Sequence, residues 1–197
     1  TTSGINAIDT TAPVPTIAVD AITPDNIINS SESGTNVDIT GTVAGEFHSG
    51  DTVTLTVNGT DYTGKVTVAG KFTIAVAGSD LKADSNLHAS VSTKDAAGNA
   101  GSASLDHVYT VDAGAPAVTV NAVSLTNDNT PDIKGTTDDP TAAIEVTIDG
   151  HSYTATHHGD GIWTLTGSAI THPIPDGLSQ QISVTATDTA GNSATAS

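Results

Sequence analysis

The chain has no cysteine, methionine or arginine, and lysine occurs only five times in 197 residues. Without cysteine there is no disulfide framework, so folding does not depend on an oxidising compartment; secretion stays open. With so few cations the chain repels nucleic acid and anionic membranes, because neutralising phosphate requires Lys and Arg. No apolar run approaches the roughly 18 residues of a membrane span, and no signal peptide opens the sequence. Aromatic residues total six. Most fall at core-phase positions, leaving few platforms on which a sugar ring stacks.

What the chain does contain is aspartate. There are 19 Asp against 3 Glu, and the formal net charge is −17. Acidic side chains keep a Thr-rich surface soluble. A solvated face usually mixes the two acids, however, whereas short Asp side chains in loops suit turns and hard-cation ligation. This bias points to calcium.

The sequence also repeats itself. Lys94-Asp95-Ala96-Ala97-Gly98-Asn99-Ala100 returns as Thr187-Asp188-Thr189-Ala190-Gly191-Asn192-Ser193, and Ile8-Asp9-Thr10-Thr11-Ala12-Pro13 returns as Val111-Asp112-Ala113-Gly114-Ala115-Pro116. A period of about 90–100 residues means two copies of a small domain, head to tail. The expected boundaries are a tail at 1–8, a first repeat at 9–111 and a second at 112–197. The second repeat's last strand is expected to be cut short at Ser197.

Nearly every segment alternates with period two. Val53, Leu55 and Val57 oppose Thr52, Thr54 and Thr56, and Ile144, Val146 and Ile148 oppose Glu145, Thr147 and Asp149. This predicts half-buried antiparallel strands. Asn58-Gly59 and Asp149-Gly150 predict hairpin turns with positive φ. Phe72 and Trp163 are expected to anchor one core each. No stretch shows sustained helical periodicity. The fold class is therefore all-β, two tandem β-sandwich domains of about seven strands each.

Asp9-Thr10-Thr11-Ala12-Pro13, Asp25-Asn26-Ile27-Ile28-Asn29-Ser30-Ser31-Glu32 and Asp95-Ala96-Ala97-Gly98-Asn99 resemble the bacterial immunoglobulin-like repeats of giant repeats-in-toxin adhesins. The resemblance covers nearly the whole chain. It implies an extracellular, calcium-stiffened stalk on the bacterial cell surface, exported by type I secretion. Such a stalk projects a distal adhesive tip and supports adhesion and biofilm formation. Its partners are neighbouring repeats of the same chain, and a monomer is expected. The second copy departs from the pattern: Leu125-Thr126-Asn127-Asp128-Asn129-Thr130-Pro131-Asp132 replaces the Asp…Glu loop and resembles a second subtype.

In such a sandwich, strand order predicts which carboxylates share a pole. Asp25 and Glu32 fall at the C-terminal pole of the first copy. Asp138, Asp139, Asp188 and Asn192 fall at the N-terminal pole of the second, with linker Asp112 between them. Crowded like charges destabilise one another, and a divalent cation resolves the conflict. Calcium accepts six to eight oxygens in flexible geometry, with the carbonyls of Ile28 or Asn192 as further donors, whereas magnesium demands a stricter octahedron. Asp9, Asp95, Asn99 and Glu46 should form an equivalent site at the outer pole of the first copy. Asn127 and Asp128 should lie at the far pole of the second. The competing reading is that each Asp merely caps a turn.

Other constellations point elsewhere. His157 and His158 are adjacent on a strand and face opposite ways, which disfavours a zinc site with His151. Gly159-Asp160-Gly161 reads as a tight turn, since no helix follows to make a phosphate loop. No nucleophile elbow supports catalysis, so the chain is not expected to be an enzyme. Two alternatives remain. One is a glycan- or protein-binding module using Tyr153, Trp163 and the Asp138-Asp139 loop; the other is an accessory domain of a secreted polysaccharide-degrading enzyme.

Overall fold

The structure is a computed structural model that describes residues 7–175 and 181–197. Most of the tail expected at 1–8 lies outside the described residues. The chain divides into two units, Thr1–Ala113 and Gly114–Ser197.

Unit 1 contains β1 (Pro15–Val19), β2 (Ile27–Ile28), β3 (Asn36–Gly45), β4 (Thr52–Val57), β5 (Thr60–Lys65) and β6 (Lys71–Ala77). A short helix α1 (Gly78–Ala83) follows, then β7 (Asn86–Lys94), β8 (Ala100–Val108) and β9 (Thr110–Val111). One sheet runs β1-β3-β6 and the other β5-β4-β7-β8, all antiparallel. Strands β2 and β9 add a two-residue parallel bridge. The alternating residues Val53, Leu55 and Val57 are all buried between the sheets, as period two demands.

Unit 2 contains β10 (Val118–Val120), β11 (Ile133–Thr137), β12 (Ala143–Ile148), β13 (His151–Thr154), β14 (Thr156–His157), β15 (Ile162–Leu165), β16 (Ile182–Thr187) and β17 (Ser193–Ala196). Its sheets run β10-β11-β15-β14 and β13-β12-β16-β17. Strand β17 pairs four residues with β16, where β8 pairs nine with β7.

Both cores use the same device. Phe72 lies across from Gly41 in the β3–β6 register, and Trp163 across from Gly135 in the β11–β15 register. A Cβ on Gly41 would stand 2.4 Å from the Phe72 ring; on Gly135 it would stand 2.4 Å from the Trp163 ring. Each glycine thus gives the aromatic a floor of bare backbone, and Trp163 Nε1 donates to Thr119 O at 3.2 Å. The hairpins also match expectation, with φ of +48° at both Asn58 and Asp149. Gly159 and Gly161 each take φ of +81° around Asp160, whose Oδ1 accepts the Ile162 N–H.

Helix α1 is a departure from the strand-only expectation. Six residues are too few to generate a periodic signal. Its position follows from tertiary packing instead. Leu81 is fully buried, Tyr109 donates its hydroxyl to Leu81 O at 2.9 Å, and Gly78 passes so close to Glu32 O that a Cβ would sit 2.0 Å away. Burial pushes the Tyr109 hydroxyl pKa well above the ordinary tyrosine range.

Candidate metal-binding poles

At the N-terminal pole of unit 1, the turn between β7 and β8 is organised by one carboxylate. Asp95 Oδ1 accepts the Ala97 and Asn99 N–H groups at 2.9 and 2.8 Å, and Oδ2 accepts Asn99 Nδ2 at 2.8 Å. The amide of Asn99 also donates to Asp9 O at 3.1 Å, so this one side chain ties the turn to the incoming segment. Asp9 Oδ1 in turn accepts the Thr11 N–H. Glu46 closes the arrangement: its Oε2 accepts Val14 N–H at 3.0 Å while its own N–H donates to Val14 O at 3.3 Å. Asp9, Glu46 and Asp95 line a recess of about 310 Å³ with Phe47 and His48. The four residues expected at this pole are therefore gathered there.

The N-terminal pole of unit 2 repeats the design. Asp188 Oδ1 accepts Ala190 and Asn192 N–H at 2.9 and 2.8 Å, and Oδ2 accepts Asn192 Nδ2 at 2.9 Å. Asp138 takes the part of Glu46: Oδ1 accepts Ala117 N–H at 2.7 Å and Asp138 N–H returns to Ala117 O at 3.3 Å. The Ala143–Thr187 pair places the Asp138–Asp139 loop beside the Asp188 turn. Asp139 Oδ1 accepts both the N–H and the hydroxyl of Thr141, each at 2.7 Å.

At the C-terminal pole of unit 1, Asp25 Oδ1 accepts the Thr23 hydroxyl at 2.8 Å and Ile27 N–H at 3.1 Å. Glu32 Oε2 accepts Asn29 N–H, and Asn29 Oδ1 accepts Glu32 N–H, a reciprocal cap. Asp112 donates its N–H to Ile28 O at 3.0 Å, which brings the linker backbone onto the loop between Asp25 and Glu32. The two carbonyls expected as extra donors each already accept one hydrogen bond, Ile28 from Asp112 and Asn192 from Asp188.

Hydrogen bonds hold several of these groups in the charged form. The Thr23 hydroxyl lowers the Asp25 pKa, the Asn99 amide lowers that of Asp95, and the Thr141 hydroxyl lowers that of Asp139. Most of the expected acids thus accept hydrogen bonds that shape a turn or fasten a strand, and at Asp25, Asp95 and Asp139 those bonds favour the ionised form. That donor chemistry, carboxylate and amide oxygen without sulfur, fits a hard divalent cation. Among the described residues no group of three His, Asp or Glu forms a ready-made cage. Glu46 and Asp138 are best found from the repeat itself, because each follows the strand that receives the linker.

The remaining candidates separate from the poles. His151 stacks on His172 with ring centroids 3.7 Å apart, whereas His157 lies across from Trp163 in the β14–β15 pair. Tyr153 and Trp163, the platform required by a glycan-binding module, are both core residues at 9% and 0% exposure. Burial for the hydrophobic core removes that use of them.

Residues 118–197 match the bacterial Ig-like domain family. The chain is 31% identical to a structure from work on host cell surface retention of a 1.5-MDa bacterial ice-binding adhesin, with a TM-score of 0.67 over 95% of this chain and 63% of that one. It is 35% identical to a Ca²⁺-stabilized adhesin that helps an Antarctic bacterium reach out and bind ice, with a TM-score of 0.68 over 95% of this chain and 49% of that one. A bacterial immunoglobulin-like domain from the M. primoryensis ice-binding adhesin is 44% identical, with a TM-score of 0.48 over 52% of this chain and all of that one. The chain thus spans less than two thirds of the two longer structures. Comparison with curated proteins gives no match.

Proposed function

We propose, for a chain that belongs to the bacterial immunoglobulin-like domains, that it is a calcium-stiffened stalk segment of a large bacterial surface adhesin. The observation that carries this reading is the 35% identity, across 95% of the chain, to an adhesin described as Ca²⁺-stabilized. The chain is a structural module and not a catalytic one. It works outside the cell, in series with neighbouring repeats, and supports adhesion and biofilm formation by holding a distal tip away from the surface.

The residues proposed to hold calcium are Asp9, Glu46, Asp95 and Asn99 at one pole of unit 1 and Asp25, Glu32 and Asp112 at the other. In unit 2 they are Asp138, Asp139, Asp188 and Asn192. Support comes from the duplicated turn chemistry and from the hydrogen bonds that favour the ionised form of Asp25, Asp95 and Asp139. When bound, the ion supplies positive charge that offsets the mutual repulsion of these groups. The turns keep the donor oxygens in place, and Asn99 secures the entering linker. A chain with net charge −17 otherwise repels itself.

Calorimetric titration of Ca²⁺ into chelated protein, paired with thermal melting, tests the reading. Extracellular modules bind with Kd on the order of 10⁻⁴–10⁻³ M. At ~100-fold excess over Kd each site adds about 2.7 kcal/mol. Small-angle scattering should show a narrower, more extended distribution in calcium than in EGTA, and Asp112→Ala in calcium should resemble wild type in EGTA. Identical melting curves and scattering in calcium and in EGTA refute the proposal.

A further inference from the structure

One side chain fastens the Asp25 loop to the end of β8, just before the segment by which the chain leaves unit 1. Asn26 adopts φ of +60°, a left-handed conformation that Asn and Gly tolerate and most residues resist. Its Oδ1 accepts Ile22 N–H at 3.1 Å and faces His107 Nε2 at 3.2 Å. Its Nδ2 donates to Val108 O at 3.2 Å. The Asn26 carbonyl accepts Thr110 N–H at 3.2 Å and the Thr110 hydroxyl at 3.4 Å. Because Oδ1 only accepts, the His107 nitrogen in this contact carries its proton. Every polar atom of the side chain is therefore matched to a complementary partner, and two of those partners belong to β8.

Immediately beyond Asn26, the β2–β9 bridge pairs Ile27 with Thr110 and Ile28 with Val111, and Asp112 N–H reaches Ile28 O. Two residues of parallel pairing are a short attachment. Asn26 stands at the upstream end of that bridge, where it fixes both where the bridge begins and which residues pair.

We propose that Asn26 is the positioning residue of this pole. It sets the register of the exit segment Val108–Asp112 against the Asp25–Glu32 loop, so that Asp112 is presented with Asp25 and Glu32 before any cation arrives. The effect on calcium affinity rests on the function proposed above; the effect on backbone order does not. Asn26 takes no part as a ligand, since its amide is committed to Ile22, His107 and Val108.

Asn26→Gly keeps the left-handed backbone available and removes all three side-chain contacts. Amide hydrogen exchange on the full chain in EGTA should show Thr110 and Asp112 losing protection by roughly tenfold or more, the signature of a local opening, while Leu55 and Val91 in the core keep theirs. Calorimetry should show weaker binding of Ca²⁺ by about tenfold, because ordering of the exit segment is then charged against association. His107→Ala, which removes one of the three contacts, should give a smaller change at the same two amides. Unchanged exchange at Thr110 and Asp112 overturns the assignment, as does an equal acceleration at Leu55 and Val91, which marks global unfolding. If wild type binds no calcium yet Asn26→Gly still loosens those two amides, the positioning role stands and the calcium function falls.

Discussion

Replacing Asn192 with aspartate changes the charge of one buried turn residue and almost nothing of its shape. Asn192 is 4% exposed, and its Nδ2 donates to Asp188 Oδ2 at 2.9 Å. In Asn192→Asp that donor becomes a second carboxylate oxygen. A hydrogen bond to a charged acceptor, about 1.5–3 kcal/mol, is lost. Two unit charges about 4 Å apart repel by about 4 kcal/mol at an effective dielectric near 20. Asp188 is partly exposed, and solvent screens much of the second contribution. The expected loss in unit 2 at neutral pH and low calcium is therefore about 2–4 kcal/mol, or a fall in Tm on the order of 10–25 °C for a domain of this size. Trp163 is the only tryptophan and lies in unit 2, so its fluorescence follows this unit alone. The pH dependence has a definite sign. The new pair holds one carboxyl above its unfolded pKa, so the penalty is full at neutral pH and shrinks as pH falls through the raised value. Millimolar Ca²⁺ should also recover part of the loss. A variant melting within about 2 °C of wild type at neutral pH in EGTA, or a deficit that does not shrink on acidification, refutes the reasoning.

Gly135→Ala places a Cβ 1.9 Å from Thr119 O as well as against the Trp163 ring, and should cost about 1–3 kcal/mol or more in urea unfolding of unit 2. Tyr109→Phe leaves Leu81 O without its hydroxyl donor in a buried site and should lower unit 1 by about 1–3 kcal/mol, read by circular dichroism. In EGTA, wild type should lose stability in acid. Asp25, Asp84, Asp95 and Asp139 have folded pKa values below the ordinary 3.8, so their contribution is present above that value and is lost as pH falls through the lower folded values. Flat melting temperatures between about pH 4 and pH 2 contradict this.

The strands and their inward faces were legible because β-branched residues alternating over six positions leave one solution, and the observed burial of Val53, Leu55, Val57, Ile144, Val146 and Ile148 follows it. The hairpin turns were legible for a local reason, the positive φ that Asn58-Gly59 and Asp149-Gly150 accept. The poles were partly legible. Asp95 and Asp188 announce themselves by repetition, and strand order groups Asp9 with Asp95 and Asn99. What escaped detection is set by contacts distant in sequence. Asn26 meets Val108 across 82 residues, and nothing near Gly78 signals the approach of the Glu32 carbonyl. Gly41 and Gly135 look like weak points in strands until the opposing rings are known.

The attachments at the two ends of unit 1 determine how it answers a pull. The chain enters through β1, paired along five residues of β3, and leaves through β9, paired in parallel with β2. A load applied between entry and exit drags each terminal strand lengthwise along its neighbour. The interstrand hydrogen bonds lie across that motion, so they are sheared as a set and cannot be peeled open singly. Resistance then depends on the unfolding rate under force more than on equilibrium stability. On this geometry the short exit bridge, secured by Asn26, yields before the five-residue entry pairing, and the first slack appears between Thr110 and Asp112.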